Sequence, residues 1–140
     1  MPAPEGDPSP ILIQFHDAAT IILQAARETA SRDRCGRAVV AICGPVGAGK
    51  STLASAIGGT ILSTDRYLPD YHLTAPGDRD LPESADLNLL QQHLRALRQG
   101  ESIEAPVWSF KTHKREGYER LDPDATIVLE GIHALHASTF

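Results

Sequence analysis

Helical and extended spacings of apolar residues alternate along this chain. From Ile11 to about Ser31, Leu12, Phe15, Ala19, Ile22, Leu23 and Ala26 recur at helical spacing. This predicts an amphipathic helix with one face packed on another element. After the connector RDRCGR, the run AVVAIC (Ala38 to Cys43) is short, continuously apolar and rich in β-branched residues. That composition predicts a strand buried on both faces of a parallel sheet. A Gly-rich loop follows, then a short helix from Lys50 to about Ile57, stopped by Gly58 and Gly59. TILST (Thr60 to Thr64) and TIVLE (Thr126 to Glu130) read as two further strands. Leu87, Leu90, Leu94 and Leu97 place one apolar face on a helix from about Ser84 to Gln99, with Gly100 as its stop. Residues 66–82 hold three prolines and a glycine and read as a long loop, and SIEAPVW as a short extended piece. Helices alternating with buried strands predict an α/β fold with a parallel sheet, in three layers. No internal repeat is present.

The first ten residues carry four prolines and read as a loose tail, which leaves 11–140 as one domain. Hydrophobic residues make up 41% and charged residues 22%, a globular composition. The formal net charge of -5 argues against general attraction to nucleic acid or to an acidic membrane surface. KTHKR (Lys111 to Arg115) is the one dense basic segment. No apolar run approaches the ~20 residues that span a bilayer. The opening MPAPEGDPSP lacks the basic and apolar regions of a signal peptide. Cys35 and Cys43 are separated by an extended stretch that disfavours a disulfide, so a reducing cytoplasm is the expected compartment.

The strongest chemical signal is Gly44-Pro45-Val46-Gly47-Ala48-Gly49-Lys50-Ser51, followed by Thr52. It matches G-x-x-x-x-G-K-[ST] between a strand and a helix, the context that a phosphate-binding loop requires. Glycines let backbone N–H groups turn toward phosphate oxygens, and the helix N-terminus adds its positive dipole end. Lys50 is the group to reach the β- and γ-phosphates of ATP or GTP, and the Ser51 hydroxyl is a ligand for Mg²⁺. Asp65 and Glu130 close two other strands. Ligands of open α/β sheets sit beyond the carboxyl ends of the strands, so Gly44, Asp65 and Glu130 are expected to face one crevice. A carboxylate there can ligand Mg²⁺ or accept a proton from an attacking hydroxyl. Each can equally be a polar residue that marks a strand end.

STDRYLPDY, the segment from DLPESADL to FKTHKR, and VLEGIHAL together resemble the uridine kinase-like branch of the uridine kinase/phosphoribulokinase family. That family has a P-loop, then an Asp followed two residues later by an aromatic. A D-x-P segment opens a helix with leucine repeats, a stretch ending in H-x-R follows, and a strand ends in E-G-I. These pieces occur here in order between Val39 and Leu135.

The resemblance implies a Mg²⁺-dependent kinase that transfers the γ-phosphate of ATP or GTP to the primary hydroxyl of a nucleoside such as uridine or cytidine. It implies that Asp65 is the general base and that Tyr67 lines the acceptor site. Asp80 would hydrogen-bond ribose hydroxyls, Trp108 would stack on a base, and His113 and Arg115 would lie near the acceptor. Glu130 would lie near Mg²⁺.

Three positions depart from the pattern: the gap from Lys50 to Asp65 is short, Trp108 stands for Tyr, and Ser109 stands for an acidic residue. Each bears on which acceptor is used. A sugar phosphate, pantothenate or glycerate is the alternative acceptor class, and an inactive nucleotide-binding module is a second alternative. A guanine-reading N-K-x-D segment is absent, which disfavours a GTPase switch. Family members continue with an Arg-bearing lid and further strands, so 1–140 is expected to be the N-terminal portion of the fold. AVVAIC would then have an open edge at which two copies can associate. Trp108 has a plain reading as core, and Lys111, Lys114 and Arg115 as a solvated loop. His133 and His136, three apart, lack the further ligands of a metal site.

Overall fold

A computed structural model describes residues 12–136 and residue 139. Helix α1 (Phe15–Arg32) precedes strand β1 (Ala38–Ile42) and helix α2 (Lys50–Ile57). Strand β2 (Thr60–Ser63) leads into four short 3₁₀ turns and then helix α3 (Leu87–Arg98). Strands β3 (Ile103–Ser109), β4 (Lys114–Leu121) and β5 (Thr126–Glu130) complete the order.

β1, β5 and β2 form a parallel sheet in the order β1-β5-β2, with Val39 beside Ile127, Ile42 beside Glu130, and Ser63 also beside Glu130. Alternation along these strands sorts the side chains into two cores. Val39, Ala41, Leu62, Ile127 and Leu129 meet the leucine face of α3 and residues Ile103 and Ala105 of β3. Val40, Ile42, Ile61 and Val128 meet α1 and α2 through Ile22, Leu23, Ala54 and Ile57. The sheet is thus the middle of three layers, the α/β architecture that the pattern predicts.

Several boundaries and roles differ from the sequence expectations. β5, flanked by a strand on each side, is the fully buried one, whereas β1 lies at the edge of the described sheet and is half-buried beyond Ala38. α1 begins at Phe15, and the predicted start at Ile11 lies outside the described residues. α3 begins at Leu87 because the Asp86 side chain accepts from the Leu89 N–H (3.1 Å), which sets the N-cap there. The segment predicted to be a long loop contains one-turn helices, the first of which, Thr64–Tyr67, includes Asp65.

The largest difference is β4. SIEAPVW is one half of an antiparallel hairpin whose other half, KREGYERL, has almost no buried residue. A strand whose two faces are both polar has no period-2 apolar signal to read. The basic segment KTHKR is therefore the hairpin turn and the start of a strand, with His113 in a left-handed conformation (φ 54°).

Leu90 is fully buried at the centre of the α3 face. Leu90→Ala is expected to cost about 2–5 kcal/mol, read as a lower urea midpoint at unchanged slope. Leu89→Ala, at a half-buried position, should cost clearly less.

Candidate active site

The carboxyl ends of β1, β2 and β5 open on the same side because the three strands are parallel. Three groups gather there. The first is the glycine loop between β1 and α2. Gly49 is its last residue before the helix and sits at φ 91°, a conformation that a side-chain-bearing residue adopts at a cost. A Cβ on Gly44 would already touch the Ala48 methyl at 3.4 Å. The loop is therefore drawn tight around its own backbone. Lys50 opens α2, and its Nζ donates to the Pro45 carbonyl at 2.8 Å, so the ammonium lies over the loop. Ser51 and Thr52 are exposed in the first turn of α2, as is Val46 within the loop.

The second group is acidic. Asp65 follows β2, and its backbone N–H donates to the Ser63 hydroxyl at 3.2 Å, which fixes the turn. Glu130 ends β5 and is buried. Gly131 follows it at φ 141°, and a Cβ there would overlap the Thr64 side chain, so only glycine lets the end of β5 lie against the Asp65 turn. Burial raises the Asp65 carboxyl above its ordinary value. The negative Glu130 adds to this and Asp80 contributes less, while Lys50 and His133 oppose them. Asp65 thus feels the charges of Lys50, Asp80, Glu130 and His133.

His133 is a member that sequence reasoning set aside after weighing it only as a metal ligand. It is buried, and its Nε2 is buried with no hydrogen-bond partner among the described residues. Desolvation holds its imidazole below the ordinary histidine value, with His136 adding to the effect and Asp65, Asp80 and Glu83 opposing it. The signal in the sequence was its place three residues after the strand-ending Glu130. Among the described residues no group of three or more His, Cys, Asp or Glu could hold a metal ion by itself.

The third group is aromatic and comes from the hairpin and the loop after β2. Tyr71 and His113 stack face to face, with centroids 5.0 Å apart and planes 6° apart. Trp108 packs at a tilt against both and edge-on against Phe110, donates from Nε1 to the Pro69 carbonyl (3.2 Å) and is buried. The expectation that Trp108 stacks on a base is therefore corrected toward its plain core reading: the indole is turned inward, and the exposed rings beside it are those of Phe110 and His113. Tyr67 is likewise fully buried, and its hydroxyl pairs with His93 Nδ1 at 2.8 Å. Burial holds its phenol far above the ordinary value, so the hydroxyl stays protonated. His93 carries no sequence signal, since the pairing arises only when α3 packs on the Asp65 turn. The Arg115 guanidinium lies 4.0 Å from Asp86, and its backbone N–H donates to Asp70 at 2.8 Å. Asp80 is exposed on the loop before α3.

A three-layer α/β fold with a glycine loop and two carboxylates at the strand ends is the architecture of P-loop kinases, and solved structures agree. A possible uridine kinase from Bacillus stearothermophilus matches with a TM-score of 0.69 at 16% identity, over 90% of this chain and 76% of that one. A putative fructose transport system kinase from Silicibacter sp. TM1040 also matches with a TM-score of 0.69, at 22% identity, over 86% of this chain and 64% of that one. The model of the phosphoribulokinase/uridine kinase family matches residues 39–139, and the chain belongs to that family.

Among curated relatives, a uridine kinase of Brevibacillus brevis is 32% identical over 107 residues, 67% of this chain and 50% of the relative. The inorganic pyrophosphatase TTM2 of Arabidopsis thaliana is 33% identical over 112 residues, 75% of this chain and 16% of the relative. The chain thus spans about half the length of the uridine kinases it matches and a smaller share of the plant protein. Among the described residues no helix is long and apolar enough to cross a membrane.

Proposed function

We propose that the chain carries the phosphate-donor site and part of the acceptor site of a kinase. It would transfer the γ-phosphoryl group of ATP or GTP to the primary hydroxyl of a nucleoside of the uridine or cytidine kind. One observation carries the reading: the charges of Lys50, after β1, and Glu130, at the end of β5, both act on the carboxyl of Asp65, which follows β2.

The loop amides from Gly44 to Gly49 and the helix N-terminus cradle the donor phosphates, and Lys50 neutralises charge on the β- and γ-phosphates. Asp65 accepts the proton of the acceptor hydroxyl. The hydroxyl oxygen then forms its bond to the γ-phosphorus as the bond to the β–γ bridging oxygen breaks, and the nucleoside diphosphate leaves. The Ser51 hydroxyl and the Glu130 carboxylate are hard oxygen donors, which fits Mg²⁺ held by one or two protein ligands together with phosphates. When bound, the ion supplies charge neutralisation at the transferred group. Asp80, His113 and Arg115 contact the acceptor, and Tyr67 and Trp108 hold that wall in place from behind. A reducing cytoplasm suits the two exposed free cysteines.

A second acceptor class, a compact hydroxyl metabolite such as a sugar, is favoured by one observation. Trp108 is turned inward, and the Tyr71–His113 pair, at 5.0 Å, leaves no slot for a base between its rings. The test is a panel of uridine, cytidine, fructose, pantothenate and glycerate with Mg²⁺ and γ-labelled ATP. A labelled product from uridine or cytidine supports the first reading, and one from fructose alone supports the second. ATP binding without any labelled product would indicate an inactive nucleotide-binding module.

A further inference from the structure

A cavity of about 370 Å³ lies away from the candidate active site, where Arg37 and Val39 at the start of β1 meet Gln91, Leu94, Arg95 and Arg98 of α3. The glycine loop leaves the other end of the same strand, so the length of β1 separates the two regions. We propose that this cavity is a second anion site, which binds a small phosphorylated metabolite of sugar-phosphate size.

Its charges point that way. Three guanidinium groups and one carboxylate, Asp33, line it. Asp33 is fully engaged: Oδ2 accepts from the backbone N–H groups of Cys35 (3.0 Å) and Arg37 (3.3 Å), and Oδ1 accepts from Arg98 Nη2 (3.1 Å). Arg37 and Arg95 have no ion pair among the described residues. Two uncompensated cations therefore share a cavity in a chain whose net charge is -5.

Arg37 is also held in position. Its Nη1 donates to the Cys35 carbonyl (3.0 Å), and a Cβ on Gly100 would lie 3.1 Å from both of its terminal nitrogens, so the glycine leaves the guanidinium its seat. Its Nε is buried with no hydrogen-bond partner among the described residues. A buried donor without an acceptor is costly unless something outside the chain meets it. Guanidinium forks match phosphate oxygens in geometry as well as charge. Leu94 and Val39 give the cavity an apolar floor, and Gln91 a polar amide. The volume is near the small end of ligand pockets. A phosphoryl group on a compact organic body fits this mixture better than a bare ion or a whole nucleotide.

Backbone amide NMR shifts of the full chain locate binding independently of activity. Glucose 6-phosphate is the probe, with glucose and inorganic phosphate as separate arms and ATP as the marker of the glycine loop. Saturable shifts are expected at Arg37 to Val39 and Gln91 to Arg98 with glucose 6-phosphate, and not with glucose. ATP should shift Gly44 to Ser51. Arg37→Gln with Arg95→Gln should weaken glucose 6-phosphate by about tenfold or more, the loss of charge-assisted bonds, and leave the ATP response unchanged. Arg95→Gln alone, at an exposed helical position, repeats the test in a variant with no packing to lose. The proposal is overturned by shifts confined to the glycine loop, by equal affinity for inorganic phosphate, or by variants that bind the probe as tightly as the parent.

Discussion

Asp65→Asn is expected to lower phosphoryl transfer by about 10²–10⁴-fold, the usual contribution of a positioned general base, with ATP affinity nearly unchanged. Asparagine keeps the shape and the backbone bond to Ser63 but cannot take the proton. The pH dependence separates this loss from a packing defect. Burial and the negative Glu130 raise the Asp65 carboxyl, and the proposed base acts as the carboxylate. The acid limb of the rate profile should therefore lie above the ordinary carboxylate range, and the asparagine variant should lack it. Stability moves the other way. A carboxyl raised in the folded state holds its proton more tightly than in the unfolded chain. Its contribution is present below the unfolded value and is lost as pH rises through the raised one. Asp65→Asn should therefore be no less stable than the parent at neutral pH, as read by thermal melting.

Lys50→Ala is expected to reduce transfer by about 10²–10³-fold, comparable to the removal of one preorganised charge donor from a transition state, and to weaken ATP binding as well. The two variants thus part in a way that assigns roles. On the proposed mechanism Lys50 acts on the donor, so both binding and turnover should fall, whereas Asp65 acts on the acceptor proton, so turnover should fall alone. Among the described residues the ammonium bonds only to the Pro45 carbonyl within its own loop, so its removal should leave the fold intact, visible as an unchanged far-UV spectrum and melting temperature. A Lys50→Ala protein that binds and turns over ATP as the parent does would contradict the donor assignment.

The sheet was legible in the sequence because its strands are short apolar runs, each followed by glycine or a carboxylate. Ala38 to Ile42, Thr60 to Ser63 and Thr126 to Glu130 all lie where the pattern places them. The glycine loop was legible because its chemistry is local: seven neighbouring residues carry both the turn and the lysine. The hairpin partner Lys114–Leu121 was not, since a strand exposed on both faces has no apolar alternation and its turn at His113 carries no Asn-Gly or Asp-Gly pair. Nor were the inward turn of Trp108 and the Tyr67–His93 pair, because each depends on how the hairpin and α3 pack around the Asp65 turn. The acidic groups that act on His133, Asp65, Asp80 and Glu83, come from loops far earlier in the chain, and no spacing rule reports them.

The fate of the γ-phosphoryl group tests the central claim most directly. With the purified chain, Mg²⁺, γ-labelled ATP and a saturating acceptor, the label is expected in a phosphate ester formed in equal amount with ADP, and Asp65→Asn should abolish that ester. Release of the label as inorganic phosphate at a rate indifferent to every acceptor, or ester formation by Asp65→Asn at the parent rate, would contradict the account.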